Sequence, residues 1–195
     1  MNYLAHIALA HPTDASRIGN LLGDFVKGTE SSLRLKLPAE LVDGIMMHRA
    51  IDLYTDSHPA FLESKELLAP ERKRYAGIVI DLIYDHFLCK NWHTFYEQPL
   101  EEFIQQFYLA LKEKKEWQFG KLKEAFPYMY AQNWLARYAT AEGMEETFRR
   151  VSKRGKFTAP IEDTYIDFTK HYDEFEKHFI VIYKDLIKFA QSFRA

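Results

Sequence analysis

The chain has a single cysteine, Cys89, among its 195 residues, so no internal disulfide can form. Such cysteine usage fits a reducing compartment, and the cytoplasm is the expected location. Charge of one sign is also lacking: 26 basic residues against 28 acidic ones leave a net charge of -2. Without a strongly basic face, nucleic acid is not an expected partner. No apolar run approaches the roughly 20 residues a membrane-spanning helix needs. The start, MNYLAHIALAHP, lacks the basic opening and unbroken apolar stretch of a signal peptide, so no membrane association is expected. Strand signals are nearly absent, with no period-2 run bounded by hairpin turns. Repeats, low-complexity tracts and linkers are missing too.

What remains is a helical pattern rich in aromatics, with 15 Phe, 12 Tyr and 3 Trp. The length suits one domain spanning 1–195 with a sizeable core. The expected fold class is all-α. Short helices are expected over residues 2–10 and 16–26, separated by Pro12, with Thr13, Asp14 and Ser16 as candidate caps. Pro38 should open a third helix running to about Thr55, and Pro70 the helix carrying AGIVIDLIYDHFL. Further helices are expected from Leu100, over 128–141 after a break at Gly120 and Pro127, and over 144–152. The C-terminal region carries a heptad stripe, from Tyr165 and Phe168 through Phe179 to Phe193. It reads as a long helix packed along its own domain, because large aromatics suit a globular core better than a two-stranded seam. A dimer-forming coiled coil is the alternative, so the oligomeric state stays open.

Four polar pairs at helical spacing interrupt apolar stretches: Asn2/His6, Asn20/Asp24, His48/Asp52 and Asp81/Asp85. Residues i and i+4 share a helix face. Their neighbours are Leu, Ile, Val, Ala, Phe and Tyr, so these faces should point inward, where unpaired charge is costly. A metal ion held by several helices would compensate it. Asp81 and Asp85 would repel each other without a cation between them, and His86 follows directly. A mixed Asp/His set suits Mn²⁺, Fe²⁺ or Zn²⁺. The bland reading is a helix cap and two surface acids, which the flanking apolar residues oppose. His48 and Asp52 could share a ligand, or Asp52 could orient the imidazole. Arg49 could pair with an acid or bind a phosphate through its planar fork. Asp24, in GNLLGDFVKG, is a candidate metal ligand or general base, with a helix-end acid as the structural alternative. His6 could be a ligand or a supporting donor.

The segment RRVSKRGK carries Arg149, Arg150, Lys153 and Arg154. Most charge runs are solvated faces. This one could also dock an acidic partner or steer a phosphate, and Arg72 and Arg74 could join it. His11, His58, His93, His171 and His178 read as surface or packing residues, and Cys89 as a small buried side chain.

The segments MNYLAHIALA, GNLLGDFVKG, GIMMHRAIDLYTDSHP and RYAGIVIDLIYDHFL, with Trp92 after them, together resemble the acyl carrier protein phosphodiesterases in order and spacing. NWLARYATAEGM and RVSKR extend the resemblance, more loosely, over most of the chain. It implies a compact multi-helix bundle, distantly related to HD-domain phosphohydrolases, with a long C-terminal helix. It implies hydrolysis of holo-acyl carrier protein to the apo form and 4′-phosphopantetheine. The implied cofactor is a divalent metal, manganese before Mg²⁺, Fe²⁺ or Zn²⁺. By matching position Asp24 is the residue expected to be essential, and His6, His48, Asp81, Asp85 and His86 fall in matching motifs. The HD superfamily places an adjacent His-Asp pair where this chain has Asp85-His86, so ligands do not follow by overlay. Gly23 carries no expected consequence for the chemistry. The charge of the transition state would be offset by Arg49 or by a residue of the Arg149–Arg154 loop. Two rival readings are a metal phosphohydrolase acting on a nucleotide or other small phosphodiester, and a non-catalytic helical binding protein whose polar pairs are structural.

Overall fold

Prolines and capping side chains divide the chain into its elements. A computed structural model describes residues 1–153 and 158–193. Helix α1 (Tyr3–Leu9) ends before Pro12, and α2 (Asp14–Leu22) begins where the Thr13 hydroxyl accepts the Ser16 N–H at 3.2 Å. Thr29 caps the short α3 (Glu30–Arg34) in the same way. Pro38 precedes α4 (Ala39–Ser57), and His58 Nδ1 accepts the Ala60 N–H at the start of α5 (Pro59–Glu66). Such caps satisfy amides that a helix start leaves without partners. Pro70 opens a 3₁₀ turn over Pro70–Tyr75, and α6 (Ala76–Lys90) follows it.

The second half contains α7 (Trp92–Phe95), α8 (Leu100–Glu113), α9 (Leu122–Ala131) and α10 (Trp134–Arg137). It continues with α11 (Ala141–Ser152), α12 (Thr164–Lys170) and α13 (Tyr172–Ser192). Among the described residues every regular element is helical, as the all-α expectation held. The second helix ends at Leu22 rather than 26, Pro70 opens a 3₁₀ turn ahead of α6, α11 begins at Ala141, and two further boundaries differ from expectation. The break expected at Pro127 falls instead at Asn133, whose φ of 45° is left-handed, a region asparagine tolerates better than most residues. Pro127 lies inside α9; it removes one N–H donor but keeps a helical φ, and buried Leu122, Phe126 and Met129 anchor the helix around it. The C-terminal stripe is likewise split at His171 into α12 and α13.

One contiguous apolar core runs through the described residues. Phe168, Phe175, Phe179, Ile182 and Leu186 of the heptad stripe are buried in it, Phe189 is half-buried, and α13 packs on α4, α5 and α6. The stripe therefore serves this chain's own core. Arg72 is also structural: it is buried and makes a two-point ion pair with Asp167, with Nε 2.5 Å from Oδ2 and Nη2 3.0 Å from Oδ1. That pairing takes Arg72 out of the docking surface expected for it. Arg74 is exposed beside the Tyr75 ring.

The contact that most directly sets up the site is between α2 and α4. A Cβ on Gly44 would stand 2.8 Å from the Gly19 Cα, and one on Gly19 would stand 2.5 Å from the Leu41 carbonyl oxygen. The two backbones therefore touch, and α2 delivers its C-terminal end to the middle of α4. Gly44→Ala should lower stability by about 1–3 kcal/mol through overpacking. Gly77→Ala, whose Cβ would meet nothing within 4 Å, should leave stability unchanged or raise it by up to about 1 kcal/mol. Urea unfolding of both variants checks the contrast, and equal midpoints would contradict it.

Candidate active site

The N-terminal segment, α4 and α6 bring together residues far apart in sequence. His6 on α1 and His48 on α4 are buried and their rings stack with centroids 3.8 Å apart. Asp52, one turn after His48, joins them: its Oδ1 is 3.0 Å from His6 Nε2 and its Oδ2 is 3.1 Å from His48 Nε2. His6 Nε2 also faces the Met1 carbonyl at 3.1 Å. Both neighbours of that nitrogen are acceptors, so it carries the proton and donates. The Nδ1 atoms of His6 and His48 are buried with no hydrogen-bond partner. The Met1 ammonium donates to Asp81 on α6 at 2.7 Å and stands 3.6 Å from Asp52.

Electrostatics sort these groups into charged and neutral. Burial, with the neighbouring His48 adding to it, lowers the His6 pKa to about 3, so its imidazole is neutral. Burial also disfavours the Asp52 charge, but hydrogen bonds from His48 and His6 outweigh it and hold the carboxyl well below the usual carboxylate range. Burial alone would lower the Met1 ammonium, and Asp81 and Asp52 instead raise it to about 10. Burial raises the Asp81 carboxyl, with the ammonium opposing.

One ligand atom from each of His6, His48 and Asp52 lies within 4.8 Å of the other two. Two imidazole rings, that of His6 neutral, and an ionised carboxylate are donor types that bind divalent metals. A three-residue set also leaves coordination positions for water and substrate. These residues therefore fit a metal ion.

Beside the cluster lies a cavity of about 240 Å³, with Met1, Asn2, Asp24, Asp81, Tyr138 and Arg150 among its walls. Asp24 follows α2 and is exposed at the rim. Reduced access to water in the concavity raises its carboxyl above its ordinary value, with His48 pulling the other way. Asn2 donates to the Tyr138 hydroxyl at 2.6 Å across the cavity wall. A larger concavity of about 490 Å³, between α8 and the α9–α10 segment, holds none of these acids or imidazoles.

The structure brings His6, His48, Asp24 and Asp81 to one place. Asp52 belongs there as the bridge between the imidazoles, a larger part than a supporting acid beside His48. Asp85 does not face the cluster. Its Oδ2 accepts the Leu4 N–H at 2.9 Å and its Oδ1 the Ala5 N–H at 3.1 Å, so it caps α1, whose own N-cap Asn2 makes no such bond. His86 is elsewhere again: its Nδ1 donates to the Tyr138 carbonyl at 2.7 Å and its Nε2 accepts from the Tyr172 hydroxyl at 2.8 Å, with Phe168 against the ring. Arg49 is half-buried with no hydrogen bond or ion pair among the described residues, and it does not line the cavity. Arg149 pairs with Glu145 and Glu146, and Lys153 is exposed. Arg154 lies outside the described residues.

Gly23 matters after all. A Cβ there would fall 2.2 Å from the His48 ring, so glycine leaves the space the imidazole occupies. Nothing in the local pattern around Gly23 signals this, because His48 lies on another helix.

Fold and site together define an all-α protein in which two buried histidines meet a partly exposed aspartate beside an acid-lined cavity. The family model for acyl carrier protein phosphodiesterase matches residues 1–186. The chain is 36% identical over 197 residues to a protein of that name from Enterobacter sp. (strain 638), covering 98% of each. It is 34% identical to one from Klebsiella pneumoniae (strain 342), again covering 98% of each. A relative from Photorhabdus laumondii is 31% identical, over 98% of this chain and 96% of that one. No solved structure matches the chain. The chain belongs to the acyl carrier protein phosphodiesterase family, and that membership makes it an enzyme of the phosphodiesterase class.

Two outcomes follow. Gly23→Ala should push the His48 ring off Asp52, shifting the His48 imidazole resonances in ¹H–¹⁵N spectra while those of His86 stay in place; an unmoved His48 signal would contradict the close approach. The second concerns Asp85, whose carboxyl burial raises from an ordinary 3.8 to about 7, against its two amide bonds. The unfolded chain ionises this group near pH 4 and the folded protein near pH 7. Its stabilising contribution is thus full below about pH 4, falls as pH rises to about 7, and is constant above. The steepest slope is about 1.4 kcal/mol per pH unit. In Asp85→Asn that part of the pH dependence should flatten, read by urea unfolding of the metal-free proteins from pH 4 to 8; parallel curves would refute it.

Proposed function

We propose that the protein hydrolyses holo-acyl carrier protein to the apo form, releasing 4′-phosphopantetheine, with a divalent metal held by His6, His48 and Asp52. Membership of the family supports the reaction. The observation that carries the metal reading is the convergence of two buried imidazoles on one ionised carboxylate beside the cavity. Mn²⁺ is the ion assigned, since a mixed nitrogen and oxygen set with a carboxylate suits it. When bound, such an ion supplies Lewis-acid stabilisation of phosphoryl charge and acidifies a water molecule.

The remaining work falls to the chain's own residues. Asp24, at the rim with a raised pKa, positions the attacking water and accepts its proton. The water oxygen attacks phosphorus as the bond to the carrier protein's serine oxygen breaks in line with it, and the departing serine oxygen takes a proton from solvent. The Asp52 carboxylate fixes both imidazole rings in orientation. Asp81, paired with the Met1 ammonium, completes the acidic wall. The exposed Arg74 and Lys153 and the half-buried Arg149 receive the acidic carrier protein.

Holo-carrier protein incubated with the enzyme and Mn²⁺ should lose the mass of its prosthetic group. Chelation should stop the loss. Asp24→Ala should lower kcat at least about 100-fold, the scale of a lost general base. Mass spectrometry of the carrier protein reads both. Undiminished turnover by Asp24→Ala would remove Asp24 from the reaction, and an intact prosthetic group with wild type would remove the reaction itself.

A further inference from the structure

Helices α8 and α9 leave an apolar groove between them. One stretch, of about 570 Å³, has Phe126, Pro127 and Tyr130 as its apolar wall, with Lys112, Lys115 and Lys123 around it. The adjoining stretch, of about 490 Å³, is lined by Ile104, Tyr108 and Leu109, with Glu101 among its polar residues. Tyr130 belongs to both. Leu109 is 44% exposed and Tyr130 42%, so large apolar side chains meet water here. Contiguous exposure of this kind marks an interaction surface.

The charge around the first stretch is mainly of one sign. Lys112, Lys115 and Lys123 are exposed, and none of them makes an ion pair among the described residues. Glu116 is the one acid lining that stretch. Elsewhere Lys65, Lys73, Lys90 and Lys188 each pair with an Asp or Glu. The Lys112 ammonium stands 5.2 Å from the Tyr130 ring centroid, which holds it over the groove. A lysine ammonium has three donors, so one ring contact leaves it able to meet an acid as well.

A backbone contact ties the groove to the acid-lined cavity. Gly120, in the turn before α9, has a φ of 57°, and a Cβ there would stand 2.6 Å from the Phe25 carbonyl oxygen. Phe25 directly follows Asp24 and stacks on Tyr3, a wall of the cavity, with ring centroids 5.7 Å apart. Lys123 therefore lies three residues from a contact with the segment that bears the rim acid.

The polar groups of the first stretch argue against a small ligand. Such a site needs a few convergent polar groups, whereas Gln118 donates to the Leu111 carbonyl at 2.8 Å and the lysines are exposed. Apolar floor with a basic rim fits an amphipathic helix, its apolar stripe on Leu109, Phe126 and Tyr130 and its acids toward the lysines.

We propose that this groove seats an acidic amphipathic helix of holo-acyl carrier protein and so presents the carrier's phosphodiester to the acid-lined cavity. The identity of that partner rests on the phosphodiesterase reading above. Arg74, Arg149 and Lys153 then contribute attraction at a distance, and the groove contributes apolar contact and register.

The test measures kcat and KM of the full-length protein on holo-carrier protein with Mn²⁺, and calorimetric binding of apo-carrier protein, at low and high salt. Wild type is compared with the triple variant K112E/K115E/K123E and with Tyr130→Ala, and circular dichroism and urea midpoints confirm that each folds. The triple variant should raise KM at least about tenfold, the joint scale of three exposed ion pairs, with kcat within about twofold of wild type. High salt should shrink that difference. Tyr130→Ala should raise KM several-fold at both salt concentrations, because the contact it removes is apolar. A folded carrier protein whose helix acids are changed to lysine should bind wild type poorly and recover on the triple variant. Wild-type KM and binding in both groove variants would overturn the assignment. So would a loss in the triple variant that the charge-reversed carrier does not recover, the mark of a general field effect. So would a wild type to which neither form of the carrier protein binds. A wild type that leaves the prosthetic group in place, yet binds carrier protein in a groove-dependent way, would support the surface and reject the reaction instead.

Discussion

The bridge from Asp52 to two imidazoles is the interaction on which the rest of the site depends. Taking His6 and His48 out of water is costly unless their polar atoms find partners, and one carboxylate serves both rings. The bridge joins α1 to α4. The Met1 ammonium, close to Asp52 and bonded to Asp81, extends the network to α6. Removing Asp52 would strand two buried imidazoles and leave the ammonium with one acid. The same bridge holds the Asp52 carboxylate ionised, while burial, against the pull of Asp52, keeps the His6 imidazole neutral.

Close packing supplies the second requirement. Gly19 and Gly44 let α2 and α4 meet backbone to backbone, and Gly23 leaves room for the His48 ring. Asp24 is the next residue, so the spacing that admits the imidazole also sets the rim acid beside it. A methyl group at any of these glycines would be felt in the core as overpacking, and at Gly23 it would press on the His48 ring. Burial supplies the third: it raises Asp24 and Asp81 and lowers His6, so these neighbouring groups carry charge less readily than they would in water.

The polar pairs at i,i+4 spacing lie on or beside helices that meet around the His6–Asp52–His48 bridge, but spacing could not show which of their side chains face it. Asp81 and Asp85 share a helix face, yet Asp81 meets the ammonium while Asp85 caps α1. A carboxylate aimed at amides and one aimed at a cation look alike in one dimension. His86 follows Asp85 directly and turns to Tyr138 and Tyr172, because successive helical residues point about 100° apart. Among the basic residues, Arg72 looked like surface charge until Asp167, 95 positions away, took it into the interior.

The sequence by itself determined the helical class, the helix starts marked by Pro38 and Thr13, and the inward burial of the C-terminal aromatics, because periodicity and capping are local properties of the chain. It also determined the family, because several short motifs in fixed order are specific where each alone is not. Tertiary structure alone decided that Asp52 bridges the histidines, that Asp85 and His86 serve packing, that Gly23 faces His48, and that Arg150 reaches the cavity. Each of these depends on distances between helices remote in sequence, and the chain encodes such distances only through the packing of its whole core.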